Sequence, residues 1–375
     1  MKKLIFVAIA VALTVAACSS SSKSTSNTTS TTAHSSSAPA ATPQTGNPSS
    51  PVTLTTSGST LLLPYLQTLA GPLHAAYPNI TLQPSGGGSG KGISDAIAGT
   101  VTMGGSDAYL SASQRQQNPT LANIPIAVSS QSIDYNLNGV TTPLHLTGNI
   151  IAQMYLGTIK TWNDPQIAHL NPGVNLPSTA VVPVRRVDSS GDTFIFTSFL
   201  TATNQQWNAG PNLGTTVNWP PVTGELTASG NPGMVQTCSA TPGCIAYIGI
   251  SAQASATAAH LGQAMLQSKD GQFVAPTQAN VLNAVNNSTS NVPANLAASL
   301  IYAPGANSYP IVNFEYMIVK SNQPDPNTAG AIRTFLSWAI SPTGGATPAN
   351  LAKQNFVALP TSVIPKVNTA ISAIK

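Results

Sequence analysis

Charge is scarce in this sequence. Only 6% of its 375 residues are Asp, Glu, Lys or Arg, against 42% hydrophobic. No basic run or stripe exists, which argues against a nucleic-acid partner. Glutamate occurs only at Glu225 and Glu315, and nothing in the sequence pairs the two as general acid and base. The histidines (His34, His74, His145, His169, His260) are scattered without metal-ligand spacing, so neither a metal centre nor any other cofactor is expected. Residues Gly104 to Ala108 do not form a G-x-S-x-G elbow, because Asp107 directly follows Ser106 and Ala108 fills the last glycine position. A hydrolase would have to assemble from residues distant in sequence, and no enzyme is expected.

Cysteine is equally rare, with Cys18, Cys238 and Cys244 the full complement. Cys18 ends a leader in which Lys2 and Lys3 precede an apolar stretch from Leu4 to Ala17. That stretch is too short to span a bilayer as a mature helix, so residues 1–17 read as a cleaved signal. Val15-Ala16-Ala17-Cys18 looks like a bacterial lipobox, in which the cysteine is acylated and becomes the first residue. Several acyl chains on one residue hold a membrane firmly. Residues 19–50 contain 12 Ser and 7 Thr, with Lys23 the one formal charge. Such a segment cannot bury enough apolar surface to offset its ordering entropy, so residues 18–50 read as a lipidated cysteine on a disordered tether. Its root-mean-square reach would be roughly 30 Å. The expected location is the extracytoplasmic face of the cell membrane, held there by lipid alone.

The remaining two cysteines fit an exported chain. Pro242-Gly243 turns the segment between Cys238 and Cys244 back on itself, and in an oxidising compartment the two read as a short disulfide loop.

From Pro51 onward, strand and helix patterns alternate. Val52 to Thr56, Ile80 to Gln83, Ala180 to Val187 and Ile311 to Val319 read as strands. Helical spacing follows through Leu62, Tyr65, Leu66, Leu69 and Leu73, through Ile93 and Ile97, from Thr193 to Leu200 with Phe194, Ile195, Phe196 and Phe199 packed, and from Ala329 to Ile340. The alternation means an α/β architecture.

Three small-residue loops lead from a strand into a helix: Thr56-Ser57-Gly58-Ser59-Thr60, Ser85-Gly86-Gly87-Gly88-Ser89-Gly90 and Asp188-Ser189-Ser190-Gly191-Asp192. A helix start offers unpaired N–H groups and the positive end of the dipole. One such loop is ordinary capping; three point to an oxyanion held by several helix ends. The glycine-rich loop is not a nucleotide P-loop, since Ser85 and Gly92 stand where that motif needs glycine and a hydroxyl. Arg186 closes the strand feeding the third loop, and strand alternation puts it on the same face as Asp188, with Arg185 opposite. Asp107 is the odd member. A carboxylate repels an anion unless the anion brings a proton, which phosphate does near neutral pH and sulfate does not. On its own, Asp107 is equally compatible with a turn cap.

These segments together resemble the phosphate-binding component of the bacterial high-affinity phosphate ABC transporter. The most specific stretch is Tyr155-Leu156-Gly157-Thr158-Ile159-Lys160-Thr161-Trp162-Asn163-Asp164-Pro165, which leads on to Val184-Arg185-Arg186-Val187-Asp188-Ser189-Ser190-Gly191-Asp192-Thr193-Phe194. Gly104-Gly105-Ser106-Asp107-Ala108 matches the family's G-A-S-D-A motif. The resemblance implies a type II periplasmic-binding-protein fold: two mixed-sheet α/β lobes joined by two crossover hinge segments. Lobe I would comprise residues 51–128 and 311–375, and lobe II residues 129–310. It implies a monomer that encloses inorganic phosphate in the cleft and passes it to the permease subunits of the importer. Carried over to this chain, the ligand contacts would be Thr60, Leu61 (through its backbone), Ser89, Asp107, Arg186, Ser190, Gly191 and Asp192, with Asp188 supporting the arginine. Asp192 departs from members that carry threonine there. It would either accept a second ligand proton or turn away and cap the helix.

Overall fold

The computed structural model of the chain describes residues 45–375. The expected signal, Cys18 and the tether up to residue 44 lie outside the described residues.

The chain enters as strand β1 (Val52–Gly58) and helix α1 (Leu63–Ala76). Pro64 sits in the first turn of α1, where its missing N–H has no helical partner to lose. The apolar spacing seen in the sequence buries Tyr65, Leu66, Leu69 and Leu73. Strand β2 (Ile80–Gly87) pairs parallel to β1 and runs into helix α2 (Ser89–Ala98), and β3 (Met103–Ser106) flanks β1 on its other side. Strand β4 (Leu121–Tyr135) is 15 residues long and buried almost throughout.

β4 holds the two lobes together. From Leu121 to Ser130 it pairs antiparallel with the strand Val312–Lys320, which also pairs with β3. From Gln131 to Tyr135 it pairs antiparallel with the strand Cys244–Gly249. That strand continues the sheet through Val182–Arg186 to Leu226–Ala228. A single curled mixed sheet of nine strands therefore serves both lobes, and helices cover it. The two-lobed periplasmic-binding-protein architecture is the one expected from the sequence. β4 changes partner between Ser130 and Gln131, beside the point where the chain returns at Ile311, whose carbonyl accepts from Gln131 N.

In the second lobe the helix Gly191–Thr203 packs Ile195, Phe196, Phe199 and Leu200 inward. Burying each such side chain contributes roughly 1.5–3 kcal/mol. Phe194 behaves differently from the expected packing face. It is half-buried and meets Tyr109, from the segment after β3, edge-on at 5.3 Å. Cys238 and Cys244 are bonded, with the turn carried by Gly243 at φ +81°.

The ordered unit starts earlier than Pro51. Gly46 exchanges hydrogen bonds with Thr334, Asn47 and Pro48 hold Asn79, and Ser50 accepts from Asn327. Residues 46–50 are thus docked on the first lobe rather than belonging to a free tether. Long-range hydrogen bonds of this kind, each with a side chain as one partner, leave no compositional trace in a Ser/Thr-rich stretch.

Candidate functional site

All three small-residue loops meet where the lobes face each other. In the first, Ser59 is the working residue: its Oγ accepts from Leu61 N at 3.0 Å and Leu62 N at 2.9 Å and donates to Asp107 Oδ1. Residues 60–62 form a turn before α1 begins, so the N–H of Leu61 is directed at Ser59 in this structure. Thr60 reaches the other lobe, its hydroxyl accepting from the backbone N of Asn231 at 3.1 Å and from its amide at 3.3 Å.

In the second loop, Gly88 (φ +89°) turns the chain so that α2 starts at Ser89, which is fully buried. Ser89 Oγ donates to Asp107 Oδ2 at 3.2 Å and accepts from Asp107 N at 3.1 Å. Asp107 is therefore no turn cap. Its carboxylate is held by two hydroxyls, Ser59 from the loop before α1 and Ser89 from the start of α2.

In the third loop, Ser190 caps the helix Gly191–Thr203 by accepting from Thr193 N. Gly191 lies against Asp107 and Ser89 so closely that a methyl group in place of its hydrogen would overlap both Asp107 Oδ2 and Ser89 Oγ. Gly90 N donates to Ser189 O at 2.9 Å, so loops two and three also touch directly.

Arg186, 3% exposed, donates through Nε to Asp188 Oδ1 at 2.8 Å and through a terminal nitrogen to Asp188 Oδ2, a two-point clamp. Its other terminal nitrogen donates to Asp192 Oδ2 at 2.7 Å. Burial opposes the guanidinium charge, but Asp188 and Asp192 outweigh it and hold Arg186 firmly protonated. Burial likewise works against Asp188, yet Arg186 keeps its carboxyl below the usual range. Arg185 points away, as strand alternation requires, and pairs with Glu225 at 2.9 Å.

Asp192 is buried, with 1% of its surface exposed. It does not cap the helix; it turns toward Arg186 and also accepts from Asn231 at 2.8 Å and Gln131 at 3.1 Å. Burial pushes its carboxyl up, and the Arg186 charge opposes the shift. Burial and then the Asp192 charge push Asp107 up, opposed by hydrogen bonds from Glu315 and Ser59. The result is two buried carboxylates facing one arginine, and that arginine is already engaged by Asp188. An arrangement so rich in acceptors suits an anion that carries protons of its own.

A model of the PBP superfamily domain matches residues 23–343. The phosphate-binding protein PstS of Methanocaldococcus jannaschii is 30% identical over 352 residues, covering 89% of each chain. The phosphate-binding protein PstS3 of Mycobacterium bovis is 32% identical over 333 residues, 86% of each. The chain belongs to the Pst-type substrate-binding proteins. It is accordingly a solute-binding protein and not an enzyme. Two solved structures share the fold: a high-affinity periplasmic phosphate-binding protein (PfluDING) with bound phosphate (TM-score 0.68, 24% identity, 85% of this chain and 93% of that one) and a Clostridium perfringens phosphate ABC transporter substrate-binding protein, also with bound phosphate (0.60, 18%, 82% and 100%).

Sequence reasoning missed five residues at this site: Ser59, Gln131, Asn231, Tyr247 and Glu315. Tyr247 accepts from Arg186 N at 2.9 Å and stacks on Phe196 at 4.4 Å, fixing the strand end that carries the arginine. Ser59 was within the loop already singled out. The other four sit on strands or helices far away in sequence, and nothing local marks them.

Proposed function

We propose that this chain captures inorganic phosphate between its lobes and delivers it to the permease of an ABC importer, anchored through Cys18 on the extracytoplasmic face of the membrane. The observation that carries the reading is Asp107. A buried carboxylate set among three helix starts and an arginine excludes any anion that cannot give it a proton. Sites built on such an obligatory hydrogen bond reject analogues that lack it by roughly 10⁴–10⁵-fold. Thr60, Leu61, Ser89, Asp107, Arg186, Ser190, Gly191 and Asp192 form the ligand shell, and Asp188 holds the arginine. Asp192 accepts a second ligand proton, so the form bound is the monobasic one. Phosphate docks on one lobe (residues 51–128 with 311–375) and closure brings in helix ends from the other (129–310). Closure also expels water, which strengthens each charge-assisted bond. The relatives named for phosphate binding, and the shared fold of the phosphate-bound structures, support the reading.

Calorimetry with phosphate and sulfate tests it. Phosphate should bind tightly and sulfate should give no signal; tight sulfate binding with silent phosphate sinks the proposal. Asp107→Asn should relax discrimination against sulfate. For the anchor, Cys18→Ser should release the protein from the membrane fraction.

A further inference from the structure

Glu315 is one of two glutamates in the chain, lies in the middle of the strand Val312–Lys320, and is 0% exposed. Antiparallel pairing of Tyr316 with Ser106 sets Glu315 beside Asp107. Asn313 bridges the two residues, its amide nitrogen donating to the Asp107 carbonyl at 3.5 Å and to Glu315 Oε1 at 3.0 Å. Glu315 Oε1 also accepts from Ser129 Oγ at 2.5 Å. Oε2 meets no donor.

Two carboxyls this close, in a place water does not reach, cannot both be ionised, so the pair holds one proton. The surroundings decide which member carries it. The charged and titratable groups around the pair are Arg186 and Asp192 on the Asp107 side and Tyr316 on the Glu315 strand. Asp107 has two hydroxyl donors and the field of Arg186 to stabilise a negative charge. Glu315 has only neutral neighbours besides Asp107, and both reach the same oxygen. That leaves Oε2 as the protonated oxygen and Asp107 as its acceptor. Burial and the Asp107 charge act in the same direction, pushing the Glu315 carboxyl well above its ordinary range.

We propose that Glu315 is a positioning residue that permanently carries a proton and donates it to Asp107, keeping Asp107 ionised as an obligate acceptor for the ligand's proton. Without this donor, Asp107 would itself pick up a proton in the unliganded cleft. It could then no longer tell a protonated oxyanion from an unprotonated one. The inference rests on the reading of the site as a phosphate site, but its first test does not.

That test is difference infrared spectroscopy of the ligand-free protein at neutral pH, comparing the purified chain with Glu315→Gln. A protonated-carboxyl C=O band present in the parent and missing from Glu315→Gln is expected. Identical acid bands would mean that Glu315 is ionised, and the proposal falls whatever the ligand. The second test is calorimetric phosphate affinity from pH 5.5 to 8.5 for the parent, Glu315→Met and Glu315→Gln. Loss of a hydrogen bond to a charged group is worth about ten- to a hundredfold. Glu315→Met should therefore lose about that much affinity at the acid end and less at the alkaline end, its fall beginning at higher pH than in the parent. Glu315→Gln, whose amide can still donate, should recover most of the loss. A loss in Glu315→Met that is equal at every pH, or that Glu315→Gln does not recover, marks a merely structural residue and overturns the proposal. An acid band assigned to Glu315 in a protein that ignores phosphate would instead overturn the phosphate reading and leave the carboxyl pair standing.

Discussion

The carboxylate of Asp192 sits 2.7 Å from the guanidinium of Arg186, on the nitrogen that Asp188 leaves free. The arginine is thereby shared between two aspartates before any ligand is considered, and under the proposed function Asp192 sets the protonation state the site prefers. With the carboxylate in place, phosphate affinity should fall as pH rises through the second ionisation of phosphate. Asp192→Thr should flatten that profile and improve binding at pH 8.5 relative to the parent by about tenfold, the equivalent of one pK unit. Isothermal titration at pH 6 and 8.5 measures it; parallel profiles for the two proteins would remove Asp192 from proton recognition.

Gly191 tests lobe closure. Its missing side chain is what allows the third helix start to rest on Asp107 and Ser89. Overpacking a tight contact costs roughly 1–3 kcal/mol, so Gly191→Ala should weaken phosphate binding by about ten- to a hundredfold. The melting temperature should barely move, because the contact lies between loops and outside the apolar core. Small-angle scattering with saturating phosphate should show a more open particle than the parent.

Asp134 is a buried carboxylate with no role in the site. Ser132 donates to one oxygen at 2.5 Å, the other has no partner, and burial pushes the carboxyl up to about 7. The folded state thus binds this proton more tightly than the unfolded chain does. Its contribution is most favourable below the unfolded carboxyl's ordinary range, and is lost progressively as pH rises toward about 7. Asp134→Asn should remove this dependence. The stability difference between pH 5 and pH 8, read from chemical denaturation, should shrink by roughly 1–3 kcal/mol, within the span that a multi-unit carboxyl shift allows.

The Cys238–Cys244 bond closes a loop with a sequence separation of 6. The chain-entropy relation gives a loop that short about 2.5 kcal/mol. Replacing both cysteines with alanine should lower unfolding free energy by about that amount and leave phosphate affinity within twofold. A larger loss of affinity would mean that the staple positions the strand Cys244–Gly249 and, through Tyr247, the arginine.

Much of the fold was legible before any coordinates. β1, α1, β2, α2 and the strand and helix around Arg186 follow from local alternation, helical spacing and small-residue loops, because each is decided within a dozen residues. The lobe junction was less so. β4 runs straight through the boundary expected between residues 128 and 129, and no local signal accompanies its change of partner at Ser130–Gln131.

By itself, the sequence determined that three helix-entry loops and an arginine at the end of a strand point to one oxyanion, because loop composition and residue type are local properties; the aspartate, Asp107, joined them through the family resemblance. Only the tertiary structure decided how that aspartate is held. Ser59, Ser89 and Glu315 reach Asp107 from sequence separations of 48, 18 and 208 residues. Their convergence is set by sheet order, with the strand Val312–Lys320 inserted between β3 and β4. The direction of the Asp192 side chain was likewise open until Gln131 and Asn231 were placed, since both orientations satisfy a helix start and only the neighbours across the cleft distinguish them.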